Sequence, residues 1–244
     1  MADNPEMVKR ASKLIRAGEI SDMDQSDEGL RAGFKNNKAY KPHIPSDSGL
    51  TVGHGHDLGQ STPEEIDAFY GPSGVGSGAG SDYGPQGEIF TKDERDILKK
   101  FAGKRVIAKK KDIKAALKVT KTITLTYEEA VEVFERKLLP RKGIEPAREA
   151  FPGFDDLPPL QQAAIVDRVY MRGTGVSELE KSRGGEQMLV DLKAAVFERN
   201  TQKVYAAIQQ MEQLHTKRAT IKRARVRSEM ALEGYLQTTR ITHH

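Results

Sequence analysis

Polar and titratable side chains crowd into two short stretches of this sequence. The denser one is Asp47-Ser48-Gly49-Leu50-Thr51-Val52-Gly53-His54-Gly55-His56-Asp57-Leu58-Gly59-Gln60, where Gly49, Gly53 and Gly55 let the backbone approach something closely. Within it His54, His56 and Asp57 offer two imidazoles and a carboxylate, a set able to bind zinc if alternate strand residues turn to one face. The other stretch is Ser26-Asp27-Glu28-Gly29-Leu30, which sets a glutamate just before a glycine. A lone glutamate is usually a surface residue, so Glu28 gains weight only in combination with the later run. The chain has no cysteine, which excludes thiol nucleophiles, thiolate zinc sites and disulfides.

The elements that must position these residues are mostly helices. Thr62-Pro63-Glu64-Glu65, Thr91 with Glu94 and Thr126 with Glu129 each carry the capping-box pattern ahead of an apolar-periodic run. A first helix is expected from about Pro5 to Arg16, closed by Gly18. PPLQQAAIVDRVYMRG places Leu160, Ala163, Ala164, Ile165, Val169 and Tyr170 at core spacing and stops at Gly173, so it is expected to be the central helix of a C-terminal lobe. EQMLVDLKAAVFERN, QKVYAAIQQMEQ and the basic stretch to Tyr235 supply further helices. The clearest β pattern is short, Ser48 to Gly53, which gives an α+β chain with one small sheet. Gly71 to Gly87 is rich in Gly, Ser and Pro; it reads as a mobile surface loop, because the Lys and Ser/Thr of a phosphate-binding loop are missing.

Composition narrows the classes. With 244 residues the chain can fold as one large domain or two small lobes, and 37% hydrophobic against 30% charged residues describes a globular protein with a solvated surface. No apolar run reaches the roughly 18 to 20 residues of a membrane helix. The start, MADNPEMVKR, lacks the apolar core of a secretory signal. The net charge of +4 is uneven: Thr201 to the end carries eight basic and three acidic residues, so the rest is close to neutral. Lys217 to Arg227 holds six of those cations at helical spacing and leaves Ala219, Ile221 and Val226 for burial. Such a face is either plain solvated surface or an attractor for polyanions; nucleic acid is not expected, because aromatics and a recognition motif are lacking.

DEGL followed by a Gly-rich T-x-G-x-G-H segment resembles the phage-type lysozymes, and SGLTVGHGHDLGQ is closer still to the pesticin-like branch of that superfamily, bacterial toxins that cut peptidoglycan. Glu28 and Thr51 lie 23 positions apart and Thr51 and Asp57 lie 6 apart, the spacing of the pesticin-like catalytic trio. LQQAAIVDRVYMRGTG resembles the hydrophobic central helix of the phage-type C-terminal lobe, and HTKRATIKRARV its basic final helix. The chain departs from the phage enzymes at Asn37, where they carry their second carboxylate. Asp57 therefore takes that role by resemblance to the pesticin-like branch, with Asp47 a weaker rival.

The resemblance implies a lysozyme-like fold: an N-terminal extension over 1–21, a small mixed catalytic lobe over 22–125 that includes the Gly-rich loop, a helical lobe over 126–244, and a cleft between the lobes. It implies a muramidase that cleaves the β-1,4 bond between N-acetylmuramic acid and N-acetylglucosamine and needs no metal or cofactor. Glu28 is then the acid, kept protonated by a partly apolar setting. Asp57 is the base that activates water, and the Thr51 hydroxyl is a second ligand for that water. Such an arrangement inverts the anomeric centre, with the carboxyls roughly 6.5 to 9.5 Å apart rather than about 5 to 5.5 Å. His54, His56 and Gln60, from the same run, are expected at the substrate. The chain lacks Trp, so Tyr40, Tyr70, Tyr83 or Phe34 would have to stack on sugar rings.

The biology implied is an antibacterial toxin or effector made in the cytoplasm. It would be delivered to the wall of a target cell by a phage, import or secretion route, with peptidoglycan strands as substrate, a cognate immunity protein and a secretion-apparatus carrier as partners. The basic final helix would be drawn to anionic envelope polymers. The rival readings are a silent glycan-binding module that uses the same cleft and, less favoured, a metallohydrolase built on His54 and His56.

Overall fold

The computed structural model describes residues 3–20, 23–44, 49–72, 88–104, 110–215 and 218–241. Among the described residues the chain is mostly helical, with one two-stranded sheet. In order the elements are α1 (Pro5–Ile20), α2 (Asp27–Asn36), β1 (Thr51–Val52), β2 (His56–Asp57), α3 (Pro63–Tyr70), α4 (Lys92–Lys99), α5 (Lys110–Val119), α6 (Tyr127–Val133), α7 (Glu145–Ala150), α8 (Pro159–Arg172), α9 (Glu178–Lys181), α10 (Gly185–Phe197), α11 (Thr201–Met211) and α12 (Arg218–Ile241). Among the described residues no helix is long and apolar enough to cross a membrane. The residues of the Gly71 to Gly87 loop from 73 onward, Asp47 and Tyr83 lie outside the described residues.

Two compact units form, one from Ser26–Lys137 and one from Asp3–Gln25 with Leu138–His244. In the first, local chemistry sets the helix starts. Thr62 Oγ1 accepts from the Glu65 N–H and Glu65 Oε2 accepts from the Thr62 N–H, both at 3.3 Å. Thr91 with Glu94 and Thr126 with Glu129 close the same reciprocal pair, satisfying amides that an α-helix leaves orphaned. Arg95 on α4, nearly buried, donates to Asp67 on α3 at 2.9 Å and also pairs with Glu88, which ties α3 to α4.

In the second unit α8 is buried along most of its length, begins with Pro159 and ends at Gly173 in a positive-φ conformation (φ 70°), where the sequence placed its stop. It packs against α1, α11 and α12. In the N-terminal extension, α1 buries Met7, Ala11, Leu14 and Ile15, a helical stripe, and clusters with the helical unit. It does not stop at Gly18. A Cβ there would lie 2.5 Å from Arg223 Nη1, so the glycine makes room for a guanidinium inside a helix that continues to Ile20.

That guanidinium corrects the expected face of the basic helix. On α12 the buried positions include Arg223, Ala224, Arg227 and Ser228, whereas Ile221 is 38% exposed and Val226 is half-buried. Arg223 donates to Asp167 Oδ1 from Nε at 2.8 Å and Nη2 at 2.6 Å, and Arg227 donates to Oδ2 from Nε at 2.7 Å. Asp167, on α8, is 0% exposed. A charge so desolvated needs charged partners, so two arginines turn inward to meet it. Burial pushes the Asp167 carboxyl up, but the two guanidiniums outweigh that and hold it below its ordinary value. The basic face expected from the sequence loses these two cations; Lys222 and Arg225 stay exposed.

Candidate active site

All three proposed catalytic residues fall within the Ser26–Lys137 unit. The hairpin that carries two of them turns through Gly53, His54 and Gly55, with φ of 59° at Gly53 and 92° at Gly55, a conformation that L side chains rarely adopt. The antiparallel register sets Thr51 opposite Asp57 and Val52 opposite His56. Leu58 N–H donates to Leu50 O at 2.9 Å beside the first pair. Opposed residues of this kind share a face, with Cβ atoms roughly 4.5–5.5 Å apart. The Thr51 hydroxyl and the Asp57 carboxylate are therefore neighbours by register. On its other edge Thr51 exchanges backbone hydrogen bonds with His43 at 2.7 and 2.9 Å, so its backbone is held from both sides. Burial keeps the His43 imidazole below its ordinary value, partly offset by its contact with Lys41 O.

The carboxylate of Asp57 is fixed at both oxygens. Oδ1 accepts from the Gly59 N–H at 2.8 Å and Oδ2 from Gln60 Nε2 at 2.9 Å, while the residue is only 8% exposed. Gly49 is required beside it, because a Cβ there would lie 2.4 Å from Oδ1 and 2.7 Å from the Gly59 nitrogen. Thr51 Oγ1 donates to Gly49 O at 3.3 Å. Both donors to Asp57 are neutral, and a carboxyl group has lone pairs beyond the two they occupy, so it keeps the capacity to accept from water.

Glu28 stands in the first turn of α2, which Ser26 caps by accepting from the Gly29 N–H at 2.9 Å. Its side chain is exposed. The partly apolar enclosure expected for a carboxyl that must keep its proton is not built around it. Asn37, at the position where the phage enzymes carry a carboxylate, closes the far end of α2 and donates from Nδ2 to Gly33 O at 3.1 Å.

The two histidines are placed otherwise than expected. His54 is not a strand residue; it sits in the turn and is buried against Phe34, Tyr127 and Phe134, with ring centroids at 5.1, 5.6 and 6.3 Å. His56 is 0% exposed, with Nδ1 2.7 Å from the Tyr70 hydroxyl and Nε2 2.7 Å from Ser61 Oγ. Ser61 Oγ in turn donates to Asp57 O at 3.4 Å, and the hydroxyls of Tyr70 and Ser61 engage the ring at both nitrogens. Buried rings engaged in this way support the hairpin from behind and offer no atom to a substrate. The two imidazoles also belong to separate clusters, and no group of three metal-binding side chains occurs among the described residues. Of the three residues expected at the substrate, His54 and His56 are buried and Gln60 is exposed with its amide on Asp57.

Sequence reasoning missed Ser61 and Tyr70 as partners of His56, since neither stands out from its neighbours. It also missed Arg31, whose guanidinium carbon lies 4.5 Å from the centroid of the Tyr127 ring while Nη1 donates to Glu128 at 2.6 Å. Of the aromatics considered for sugar stacking, Tyr70 and Phe34 are buried in the core and Tyr40 is half-buried. Comparison with family models, with curated proteins and with solved structures returned no match to this chain.

Proposed function

We propose that the chain is a peptidoglycan muramidase that acts as an antibacterial toxin or effector, with Glu28 as general acid, Asp57 as general base and Thr51 as a second ligand for the attacking water. The observation that carries this reading is the pairing of Thr51 with Asp57 across the hairpin, which sets a hydroxyl and a carboxyl group fixed at both oxygens on one face. A water held between them is polarised by the carboxylate and aimed by the hydroxyl, as an inverting mechanism requires. Because Glu28 is exposed, the bound glycan itself must supply the desolvation that keeps the acid protonated. Delivery into another cell's wall then calls for a carrier and for an immunity protein in the producer.

The test is turbidity loss of purified cell walls. Wild type is expected to clear them, Glu28→Gln and Asp57→Asn to leave them standing, and mass analysis of the fragments to find reducing muramic acid ends. Walls left intact by wild type would sink the reading, and anhydro ends would replace it with a lytic transglycosylase that needs no base. The exposure of Glu28 favours one alternative, a glycan-binding module without catalysis. That module would sediment with walls and release nothing.

A further inference from the structure

Gln60 ends the short 3-10 turn Leu58–Gln60 and is exposed, yet its side chain is not simply solvated. Its amide Nε2 donates to Asp57 Oδ2 at 2.9 Å. We propose that Gln60 is a positioning residue that sets the rotation of the Asp57 carboxylate; the inference rests on Asp57 being the base of the proposed reaction.

The terminal torsion of an aspartate is soft and roughly two-fold, so a single donor anchors one oxygen and leaves the plane free to swing. Gly59 N–H is that single donor, on Oδ1 at 2.8 Å. The second donor, on the other oxygen, fixes the plane and so fixes where the remaining lone pairs point. Only a donor that is neutral fits the task. A lysine or arginine in its place would compensate the charge the base needs, as two arginines do at Asp167. The three-residue turn accounts for the spacing: Asp57 N-caps it, and Gln60 lies one turn on, over the same carboxylate. Holding an exposed glutamine in one rotamer costs conformational entropy.

Kinetics on cell walls give the first readout. Gln60→Ala is expected to lower kcat roughly 10- to 100-fold with KM little changed, the penalty of a misaligned reacting group. Gln60→Glu sets a second carboxylate against Asp57 and is expected to fall further, while Gln60→Lys brings a donor but compensates the charge the base needs and is expected to stay as low as Gln60→Ala. All three are expected to melt with wild type, since the side chain is exposed. If wild type clears walls and Gln60→Ala matches it in kcat, or if only KM rises, the positioning role falls while the muramidase reading stands.

The second readout does not depend on activity. In an acid titration followed by NMR, the Gln60 side-chain amide resonances are expected to move as Asp57 takes up its proton, and Asp57→Asn is expected to abolish that movement. An amide that ignores the titration overturns the proposal. Should wild type leave walls intact, the muramidase reading falls and this titration alone decides whether Gln60 orients Asp57.

Discussion

Two aspartates in this molecule are turned away from bulk water and held in opposite ways. Asp167, in the helical unit, meets the guanidiniums of Arg223 and Arg227 and is fully buried. Asp57, in the hairpin unit, meets a backbone amide and a glutamine amide and keeps a small exposed edge. The first carboxylate is neutralised and fully engaged, as suits a group that holds helices together. The second is oriented by neutral donors, the arrangement that the base of the proposed reaction would need. The partners, more than the burial, distinguish the two carboxyl groups.

The largest effect that tests this contrast is expected from Asp167→Asn. The substitution keeps the shape but takes from Arg227 its counter-charge and leaves Arg223 only Glu19, at 3.2 Å, and it is expected to cost roughly 3–5 kcal/mol, read from urea unfolding. Replacing Asp167, Arg223 and Arg227 together with apolar residues of similar volume is expected to restore most of that loss. Acid acts on the same group. Because Asp167 is held below its ordinary value of 3.8 in the folded chain, its contribution is complete above that value and is lost as pH falls below it.

Asp57→Asn is expected to do the reverse. An amide oxygen can still accept from the Gly59 N–H, so the melting temperature should stay near wild type while wall clearing falls about 10²- to 10⁴-fold. If Asp57→Asn unfolds the protein, or Asp167→Asn leaves its stability untouched, the division between the two carboxylates is broken. Gly49→Ala tests the space around Asp57: its Cβ meets backbone at Gly59 as well as the carboxylate, and a loss of about 1–3 kcal/mol is expected together with a loss of activity. Behind the hairpin, Tyr70→Phe removes the hydroxyl that engages His56 Nδ1, with an expected cost of about 1–3 kcal/mol by thermal unfolding.

The same contrast explains what was legible in the sequence. The capping boxes at Thr62, Thr91 and Thr126 can be read because both partners lie within three residues. The closeness of Thr51 and Asp57 follows from a hairpin whose glycines, Gly53 and Gly55, mark its own turn. Arg223 and Arg227 could not be placed, because a rule that turns charge outward holds only until a buried partner intervenes, and Asp167 lies 56 positions from Arg223. Gly18 misleads for the same reason: its lack of a side chain serves a distant arginine, where local pattern suggests a helix end. His54 and His56 look alike in sequence and differ in fate because one falls in the turn and the other on the strand.

The smallest expected effect lies at His215, where the helical unit carries a second, weaker sensitivity to acid. Partial burial, then the charges of Arg227 and Arg172, push this imidazole down to about 4, with Glu180 opposing and Arg168 adding to the shift. Arg172 Nη2 lies 3.4 Å from its Nδ1, which acts as acceptor in the neutral ring. A histidine whose value is lowered on folding contributes stability that is complete above its ordinary 6.5 and is lost as pH falls toward 4. His215→Asn is therefore expected to flatten the decline in stability between those two values and to leave the steeper loss below 3.8, to which Asp167 contributes, in place. Because the ring is half-buried, solvent screens its charge and the flattening should be small. Urea titrations at pH 7, 5 and 3.5 separate His215 from the carboxylates: equal slopes for wild type and His215→Asn between pH 7 and 5 would remove His215 and leave the helical unit's acid response to carboxylates held low, among them Asp167 and Glu180.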